Sequence, residues 1–451
     1  MAKMKSKTVY LCSACGNDHP KWNGQCPSCN EWGTLSEYKV SNKKQFQKNG
    51  IKKDSQKLED VLIKGESKRL SVGIPEMDRV LGGGLLSGTL ILLGGNPGIG
   101  KSTLALQILP SFDQAVLYIS AEESESQVGL RAQRLGVNST NLHLSSENNI
   151  DSILNQISIV HPKLVVIDSI QTVFNDELDS LPGSVSQIRE CGQRLLQLAK
   201  QENISVIIIG HVTKEGIIAG PKMLEHMVDT VLYLEGDDRY DHRILRSAKN
   251  RFGTTNEVGI FQMEEKGLIE VKNPSELFLS ERQNDITGSV IFSSLEGSRP
   301  ILVEIQALVS NANFGTPQRN VNGFDYKRLA MLLAVLEKRL GILMGTKDVF
   351  INLVGGLKVN DPAADLSVIS AVASSANNKL ISDSVVLIGE VGLGGEVRSV
   401  NGLNVRIKEA ESLGFKHVIA PISSVNRIKK DSKKIKVTGV SNVNEAFKKL
   451  F

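Results

Sequence analysis

A short glycine-rich run carries the chemistry of phosphate binding. G-N-P-G-I-G-K-S, from Gly95 to Ser102, is a complete G-x-x-x-x-G-K-[ST] motif, and the apolar run before it, from Thr89 to Leu93, is predicted to be a strand. The glycines let backbone N–H groups surround phosphates, and the N-terminus of the helix predicted to follow adds its dipole. We therefore predict that Lys101 bridges the β- and γ-phosphates of ATP and that Ser102 holds Mg²⁺. The predicted nucleotide-binding residues are Gly95, Asn96, Pro97, Gly98, Ile99, Gly100, Lys101, Ser102 and Thr103.

Two further predicted strands end in carboxylates. K-L-V-V-I-D places Asp168 after a run of apolar residues, which is the Walker B pattern, so its carboxylate is predicted to reach Mg²⁺ directly or through water. V-L-Y-I-S-A-E-E ends in Glu122 and Glu123, and hydrolysis needs a carboxylate that orients water. Because the ends of parallel strands face the ligand crevice, Glu122 is predicted to fill this role, with Glu123 as the alternative. The competing interpretation is that both are exposed acids at a helix N-terminus.

A histidine follows another apolar run. S-V-I-I-I-G-H-V-T-K-E-G is predicted to bring His211, Thr213 and Lys214 to the same edge, where they would sense the γ-phosphate and couple it to the next loop, which carries Gly220 and Lys222. A histidine with a purely structural role is the alternative for His211.

Four of the five cysteines form a metal-binding pattern. They are Cys12, Cys15, Cys26 and Cys29, two C-x2-C pairs separated by ten residues. Four thiolates would satisfy Zn²⁺ completely, so the site is predicted to be structural rather than catalytic. Disulfides are the alternative, and His19 is a further candidate that a complete set of cysteines does not need. Cys191 stands alone and is predicted to be an ordinary buried or half-buried thiol.

The composition is that of a soluble globular protein. The chain has 451 residues, 41% of them hydrophobic and 23% charged, with a net charge of +4. This length predicts two or three domains. With no long apolar run and no signal peptide, a cytoplasmic protein without a membrane contact is expected. Residues 36–60 are predicted to be a basic linker, either a solvated tether or a strap that touches phosphate backbones.

The order of these motifs resembles the RecA-like ATPase core. A specific pentapeptide, K-N-R-F-G, runs from Lys249 to Gly253, and together with the cysteine ribbon and the tail it resembles the bacterial RadA (Sms) family of DNA-repair ATPases. The resemblance implies a hexameric ring that binds single-stranded and branched DNA, promotes branch migration and works with a RecA-type recombinase. It also implies that Lys249 and Arg251 support ATP use and DNA work. Arginine can stabilise a transferring phosphate across a subunit interface or contact DNA, and the division of these tasks stays open.

From about Pro274 onward the tail contains E-I-Q-A-L-V (304–309), V-F-I-N-L-V-G-G-L-K (349–358) and G-F-K-H-V-I-A-P (414–421). In this order they resemble the proteolytic domain of Lon, which uses a serine activated by a lysine. In D-P-A-A-D the serine position matches Ala363, and in N-G-L-N-V-R the lysine position matches Arg406. Neither residue can do the chemistry, because a methyl group is not a nucleophile and a guanidinium stays protonated. Ser367 and Ser370 are predicted to lie inside the following helix. We therefore predict no peptidase activity.

Two roles are open for this tail. It is predicted to form a ring base for the ATPase, with Lys358, Arg398 and Arg406 lining a channel for DNA phosphates. The alternative is that these are surface charges without a partner.

The predicted fold class is α/β. A four-cysteine zinc ribbon (1–35) and a basic linker (36–60) precede a RecA-like P-loop ATPase core with a central, mostly parallel sheet (61–272). A Lon-protease-like α/β domain without the Ser-Lys pair follows (273–451). The predicted function is DNA-dependent ATP hydrolysis in recombinational repair. An ATP-dependent protease and an assembly or signalling ATPase are the alternatives.

Overall fold

The computed structural model describes residues 7–12, 18–40, 69–211, 219–236, 241–255, 257–280, 282–283, 285–312, 315–428 and 435–451. Cys15, Thr213, Lys214 and most of the predicted linker therefore lie outside the described residues, as does the side chain of Lys222. The chain divides into two compact units, Met1–Gly236 with Asp241–Glu270 and Asp237–Tyr240 with Val271–Phe451.

A small antiparallel sheet opens the first unit. Its described strands are β1 (Lys7–Cys12), β2 (Asp18–His19) and β3 (Leu35–Val40), in the order β2-β1-β3. The turn after Cys26 closes through Asn30, whose N–H donates to Cys26 O at 2.8 Å and whose φ is 59°. Asparagine tolerates this left-handed conformation better than most residues, so the turn keeps the paired cysteines on one side.

The large sheet of the first unit has nine strands within the described residues. They are β4 (Leu90–Gly95), β5 (Val116–Ser120), β6 (Leu142–Ser145), β7 (Leu164–Asp168), β8 (Ser205–His211), β9 (Thr230–Glu235), β10 (His242–Asn250), β11 (Val258–Glu264) and β12 (Gly267–Glu270). The order is β12-β11-β10-β9-β4-β8-β7-β5-β6, parallel from β9 to β6 and antiparallel from β9 to β12. The prediction of a central, mostly parallel sheet is confirmed.

Helices cover both faces of this sheet. They are α1 (Pro75–Leu81), α2 (Lys101–Gln107), α3 (Glu125–Arg134), α4 (Ile150–Val160), α5 (Val185–Glu202) and α6 (Ala219–Met227). β4, β5 and β7 are buried along their whole length because helices cover both faces of the sheet. Strands buried on both faces need continuous apolar runs, which these three strands have. Two apolar clusters result, one on each side of the sheet. β4 ends at Gly95, two residues beyond the predicted strand, so it delivers the glycine-rich loop directly.

The second unit is a separate α/β sheet. Its described strands are β13 (Ser289–Glu296), β14 (Arg299–Asn311), β15 (Arg319–Asn322), β16 (Lys347–Leu353), β17 (Val385–Leu387), β20 (His417–Pro421) and β21 (Lys436–Val440), in the order β15-β16-β14-β13-β17-β20-β21. A separate hairpin pairs β18 (Glu390–Val391) with β19 (Val397–Arg398).

One helix of this unit is almost entirely buried. The helices are α7 (Pro274–Leu279), α8 (Tyr326–Leu340), α9 (Asp365–Asn377), α10 (Leu403–Ser412), α11 (Ile422–Val425) and α12 (Val443–Leu450). The buried one is α9, which follows a single 3₁₀ turn at Pro362–Ala364. This turn holds the serine position of the Lon-like pattern. Across the described parts of the chain, no helix is both long and apolar enough to cross a membrane.

Candidate active site

The glycine-rich loop joins the end of β4 to the start of α2. Gly95 and Gly98 have φ values of 152° and 76°, and a Cβ at Gly95 would approach Leu234 O to 2.5 Å. Glycine is therefore required at Gly95 for space and at Gly98 for its backbone conformation. Ser102 and Thr103 lie half-buried in the first turn of α2. The loop consequently presents backbone N–H groups and a helix N-terminus at one place, which is the geometry of a phosphate site.

Lys101 lies across this loop. Its side chain is 3% exposed, and Nζ donates to Gly95 O at 2.9 Å and to Asn96 O at 2.8 Å. Burial lowers its pKa to about 8, although the carboxylates of Asp168 and Glu122 oppose the shift. A desolvated ammonium gains from an anionic ligand. The residues of the loop therefore fit a nucleotide phosphate.

Asp168 and Glu122 lie near Lys101 at the carboxyl ends of the parallel strands, which we call the nucleotide edge of the sheet. Asp168 ends β7, is 8% exposed, and accepts a hydrogen bond on Oδ2 from the hydroxyl of Tyr118 at 2.6 Å. Burial and the nearby carboxylate raise the pKa of Tyr118, so its hydroxyl keeps its proton. Glu122 follows β5 and accepts a hydrogen bond from the hydroxyl of Ser169. The hydroxyl of Ser102 and the carboxylate of Asp168 could both bind Mg²⁺ here, because its preferred ligands are oxygens.

The geometry distinguishes Glu122 from its neighbour Glu123. Glu123 forms an ion pair with Arg131 of α3, and its backbone N–H donates to Ser120 Oγ at 3.0 Å. Glu122 instead faces His211, whose Nε2 lies 3.6 Å from Glu122 Oε1. Position therefore favours Glu122 as the carboxylate that faces a bound nucleotide.

His211 ends β8 directly beside the phosphate loop. It pairs in register with Gly95 of β4 and is half-buried. Its contact with Glu122 places it near the predicted γ-phosphate position. Thr213 and Lys214, the other two predicted sensors, are outside the described residues, so the structure places only the histidine.

The K-N-R-F-G segment lies at the opposite edge, where the parallel strands begin. Asn250 pairs with Thr230 at the start of β9, and Thr230 pairs with Ile91 near the start of β4. The phosphate loop leaves the other end of β4, at Gly95. At the usual rise of a strand, the length of β4 separates the two edges by about 16 Å. Neither basic residue of this segment can therefore reach the phosphates in the loop of its own chain.

Arg251 is held by a buried carboxylate that the sequence did not single out. Its Nη1 lies 3.1 Å from Asp229 Oδ1, and Leu90 N–H donates to Asp229 Oδ2 at 3.2 Å. The side chain of Asp229 is 3% exposed, whereas that of Arg251 is 49% exposed. The arginine is thus oriented from one side and open on the other. The sequence signal for Asp229 was an acid directly before an apolar strand, which is too common to identify it alone.

Lys249 makes a different set of contacts. Its Nζ donates to backbone carbonyls at the end of α6, at 2.7 Å from Glu225 O, 2.8 Å from Val228 O and 3.2 Å from His226 O. Burial, followed by the charge of Arg251, lowers its pKa. Cations stabilise helix C-termini in this way. Lys249 consequently joins the K-N-R-F-G segment to the helix that follows the His211 strand.

The thiols of the described cysteines in the ribbon converge on one point. Cys12, Cys26 and Cys29 have sulfur atoms within 4.8 Å of one another, with Cys12 Sγ and Cys29 Sγ 3.7 Å apart. Zn–S bonds of about 2.3 Å in a tetrahedron place sulfurs about 3.8 Å apart, so the cluster fits Zn²⁺. Cys15 lies outside the described residues, and His19 Nε2 lies 3.4 Å from Cys26 Sγ.

Cys191 takes no part in this cluster. It is buried within α5, and burial raises the pKa of its thiol to about 12. A thiol with such a pKa stays protonated and unreactive at neutral pH. This environment agrees with the ordinary buried thiol that the sequence suggested.

The two Lon-like positions hold a buried alanine and a buried arginine, and the arginine forms an ion pair with Asp361. Ala363 is buried, and Arg406 Nη2 lies 2.6 Å from Asp361 Oδ2. Arg406 also donates to the carbonyls of Ser293 and, at 3.0 Å, of Asn401. Its guanidinium is therefore bound on several sides within the domain.

This burial overturns one prediction. Arg406 is 2% exposed, so the prediction that it lines a DNA channel is wrong. Lys358 is exposed, and Arg398 is exposed but paired with Glu396 at 2.5 Å. Its guanidinium points inward, to Asp361 at the start of the 3₁₀ turn before α9 and over the ring of Phe292.

Comparisons with known proteins agree with this architecture. Family models match residues 70–276 as the KaiC ATPase, residues 10–37 as a rubredoxin metal binding domain, and residues 342–451 as the Lon protease (S16) C-terminal proteolytic domain. Proteins called DNA repair protein RadA match almost end to end. That of Listeria monocytogenes is 47% identical over 457 residues, which cover 100% of this chain and 99% of the relative. That of Bacillus subtilis is 48% identical, with 99% of each chain covered, and that of Rickettsia bellii is 49% identical over 92% of this chain and 93% of its own.

Proposed function

Because the chain belongs to the RadA family of DNA repair proteins and carries a RecA-like ATPase domain, we propose that it hydrolyses ATP in response to single-stranded DNA. In this proposal a ring of six subunits uses hydrolysis to drive branch migration of recombination intermediates, together with a RecA-type recombinase in the cytoplasm. The observation that carries the proposal is the placement of the phosphate loop and K-N-R-F-G at opposite edges of one sheet.

Each residue at the nucleotide edge has a role in this proposal. The loop from Gly95 to Ser102 binds the phosphates, and Lys101 neutralises their charge. Ser102 and Asp168 would hold Mg²⁺, which neutralises charge on the phosphates when bound. Glu122 orients the attacking water and accepts its proton, a role supported by its distance of 3.6 Å from His211 and its freedom from the Arg131 pair.

The two basic residues of K-N-R-F-G divide their tasks. Arg251 is half-exposed and anchored by Asp229, so it is oriented for an anion that comes from outside its own subunit. That anion is either the ATP of a neighbouring subunit or a DNA phosphate, and the fixed geometry favours the ATP. Lys249 already donates to the carbonyls at the end of α6. We assign it to positioning the segment rather than to contacting a phosphate.

The Lon-like unit serves as a scaffold in this proposal and not as a protease. Ala363 offers no nucleophile, and Arg406 is a permanent cation paired with Asp361. The unit extends from about residue 271, beyond the part that the Lon model matches. An interaction between such units of neighbouring subunits would hold the ATPase units in a ring.

A casein degradation assay tests the absence of peptidase activity. We expect intact casein after incubation with the protein, ATP and Mg²⁺, because neither Ala363 nor Arg406 can open a peptide bond. An active protease of the Lon type run in parallel provides the positive control. ATP-dependent casein fragments produced by the native chain would contradict the prediction and indicate a proteolytic site elsewhere in the protein.

Zinc completes the proposed cofactor set. The ribbon would bind one Zn²⁺ through Cys12, Cys15, Cys26 and Cys29, because the three described thiols already have the spacing of a zinc tetrahedron. β3 pairs with β1 along its whole length, so we place the end of the ribbon at Val40 rather than at residue 35. The ATPase domain then follows a linker that lies mostly outside the described residues.

Hydrolysis with and without single-stranded DNA tests the proposed function. We expect DNA to raise the ATPase rate of the native chain, and Lys101→Ala to reduce the rate to background, because the loop then lacks the cation that binds the phosphates. Lys200→Ala, which removes an exposed lysine from the end of α5, is the matched control and should keep the native rate. If DNA leaves the native rate unchanged, the motor function fails, and an ATPase that works on protein partners becomes the better hypothesis.

A further inference from the structure

Two hydroxyl groups connect the carboxylates of the nucleotide edge in a reciprocal way. Tyr118 of β5 donates to Asp168 of β7, with Tyr118 Oη 2.6 Å from Asp168 Oδ2. Ser169, the residue after β7, donates to Glu122, which follows β5. Each strand therefore supplies one carboxylate and one hydroxyl, and each hydroxyl binds the carboxylate of the other strand. We call Tyr118 and Ser169 the hydroxyl pair.

Both donors are fully buried, whereas the acceptor Asp168 is 8% exposed and the acceptor Glu122 is open to the crevice. Tyr118 and Ser169 are each 0% exposed, and the side chain of Glu122 is 42% exposed. A buried hydroxyl has few other partners, so it holds its acceptor in one place, and hydrogen bonds to carboxylates are among the stronger ones. Each hydroxyl occupies one carboxylate oxygen and leaves the second oxygen for a ligand.

Strand pairing does not need these two bonds. β5 and β7 are already joined by backbone pairing from Val116 with Leu164 to Ser120 with Asp168. The ring of Tyr118 also fills space in the apolar cluster on that side of the sheet, and this packing does not depend on its hydroxyl. The two hydroxyls therefore act on the carboxylates rather than on the architecture.

We propose that Tyr118 and Ser169 are positioning residues with separate effects on ATP hydrolysis. Tyr118 fixes the carboxylate of Asp168 for Mg²⁺ and sets the Mg²⁺ requirement. Ser169 fixes the carboxylate of Glu122 for the attacking water and sets the rate of the chemical step. This inference rests on the proposed roles of Asp168 and Glu122. Hydrogen bonds that orient metal ligands from behind are known to affect metal affinity strongly.

The chain offers a matched control for the loss of a tyrosine hydroxyl. Tyr233 of β9 donates to Glu225 Oε1 at 2.5 Å, which is the same type of bond in the same sheet. Glu225 belongs to α6 and has no proposed contact with the nucleotide. Tyr233→Phe and Tyr118→Phe thus remove the same group from the same type of acceptor.

The test compares Tyr118→Phe, Ser169→Ala and Tyr233→Phe in the full-length protein. Binding of a fluorescent ATP analogue is titrated with Mg²⁺, and kcat is measured at saturating ATP and Mg²⁺. We expect Tyr118→Phe to raise the half-saturating Mg²⁺ concentration about tenfold and to leave Mg²⁺-free binding of the analogue unchanged. We expect Ser169→Ala to lower kcat about tenfold without changing the Mg²⁺ requirement or the KM for ATP. Tyr233→Phe should change neither quantity.

Asp168→Asn separates failure of this inference from failure of the proposed function. If Asp168→Asn raises the Mg²⁺ requirement and Tyr118→Phe does not, the positioning role of Tyr118 is wrong. If Asp168→Asn leaves the requirement unchanged, the proposed role of Asp168 is wrong as well. Equal losses in all three hydroxyl variants, or a Tyr118→Phe protein that fails to fold, would make the hydroxyls structural and overturn the inference.

Discussion

Mixing two inactive variants, Lys101→Ala and Arg251→Ala, is expected to restore DNA-stimulated ATP hydrolysis. Each variant alone should be nearly inactive, since the first lacks the lysine proposed to bind the phosphates and the second lacks the arginine proposed to act across the interface. The loss of an arginine that acts across an interface is worth about 10³-fold or more. In a mixed assembly, the intact loop of an Arg251→Ala subunit can meet the intact Arg251 of a Lys101→Ala neighbour. The separation of the two residues on opposite edges of the sheet makes this complementation possible.

The size of the restored activity is also predicted. If the subunits mix at random in equal amounts, about a quarter of the interfaces combine an intact loop with an intact arginine, so about a quarter of the native rate is expected. Lys101→Ala mixed with Asp168→Ala is the matched control, because both changes damage the nucleotide edge and no interface becomes complete. Subunits with two different affinity tags show whether mixed assemblies form. Mixed assemblies without restored hydrolysis would assign Arg251 to DNA instead.

The second large effect is expected in the Lon-like unit. Arg406→Met should destabilise this unit by about 3 kcal/mol, because it leaves the partly buried carboxylate of Asp361 without its cation and the carbonyls of Ser293 and Asn401 without their donor. Hydrogen exchange followed by mass spectrometry reports the change locally. Amides of α9 and β13 should exchange roughly a hundredfold faster, whereas those of β4 should keep their native rates.

Two further variants make this result specific. Arg398→Met removes an arginine whose side chain is 56% exposed and should leave exchange in the unit unchanged. Combining Arg406→Met with Asp361→Asn should recover part of the loss, because no unpaired charge then remains. If Arg406→Met alone exchanges at the native rate, the ion pair does not stabilise the unit.

Local sequence patterns predicted those parts of the site that are contiguous in the chain. The glycine-rich loop and the aspartate at the end of β7 follow from motifs whose strand and helix context is also readable. The mostly parallel sheet follows from apolar runs such as β4 and β7, which only a sheet covered on both faces requires.

Contacts between distant residues could not be predicted in this way. The bonds from Tyr118 to Asp168 and from Arg251 to Asp229 depend on the register of neighbouring strands. The amino-acid sequence alone does not show how neighbouring strands align, so neither Tyr118 nor Asp229 was identified as part of the site. The prediction for Arg406 failed for a related reason. An arginine is usually exposed. The sequence did not show that Arg406 is buried beside Asp361, because that pairing exists only in the folded unit.

The pair of Arg406 and Asp361 also determines what a Ser-Lys pair would require in this unit. A variant with Ala363→Ser and Arg406→Lys would place the new lysine beside Asp361. Burial lowers the pKa of a cation at this position, as it does for Arg406, and the Asp361 carboxylate opposes that shift. A lysine at position 406 would therefore act as a base more readily if Asp361 were changed as well. Installing a Ser-Lys pair in this unit is thus a change of three residues rather than two.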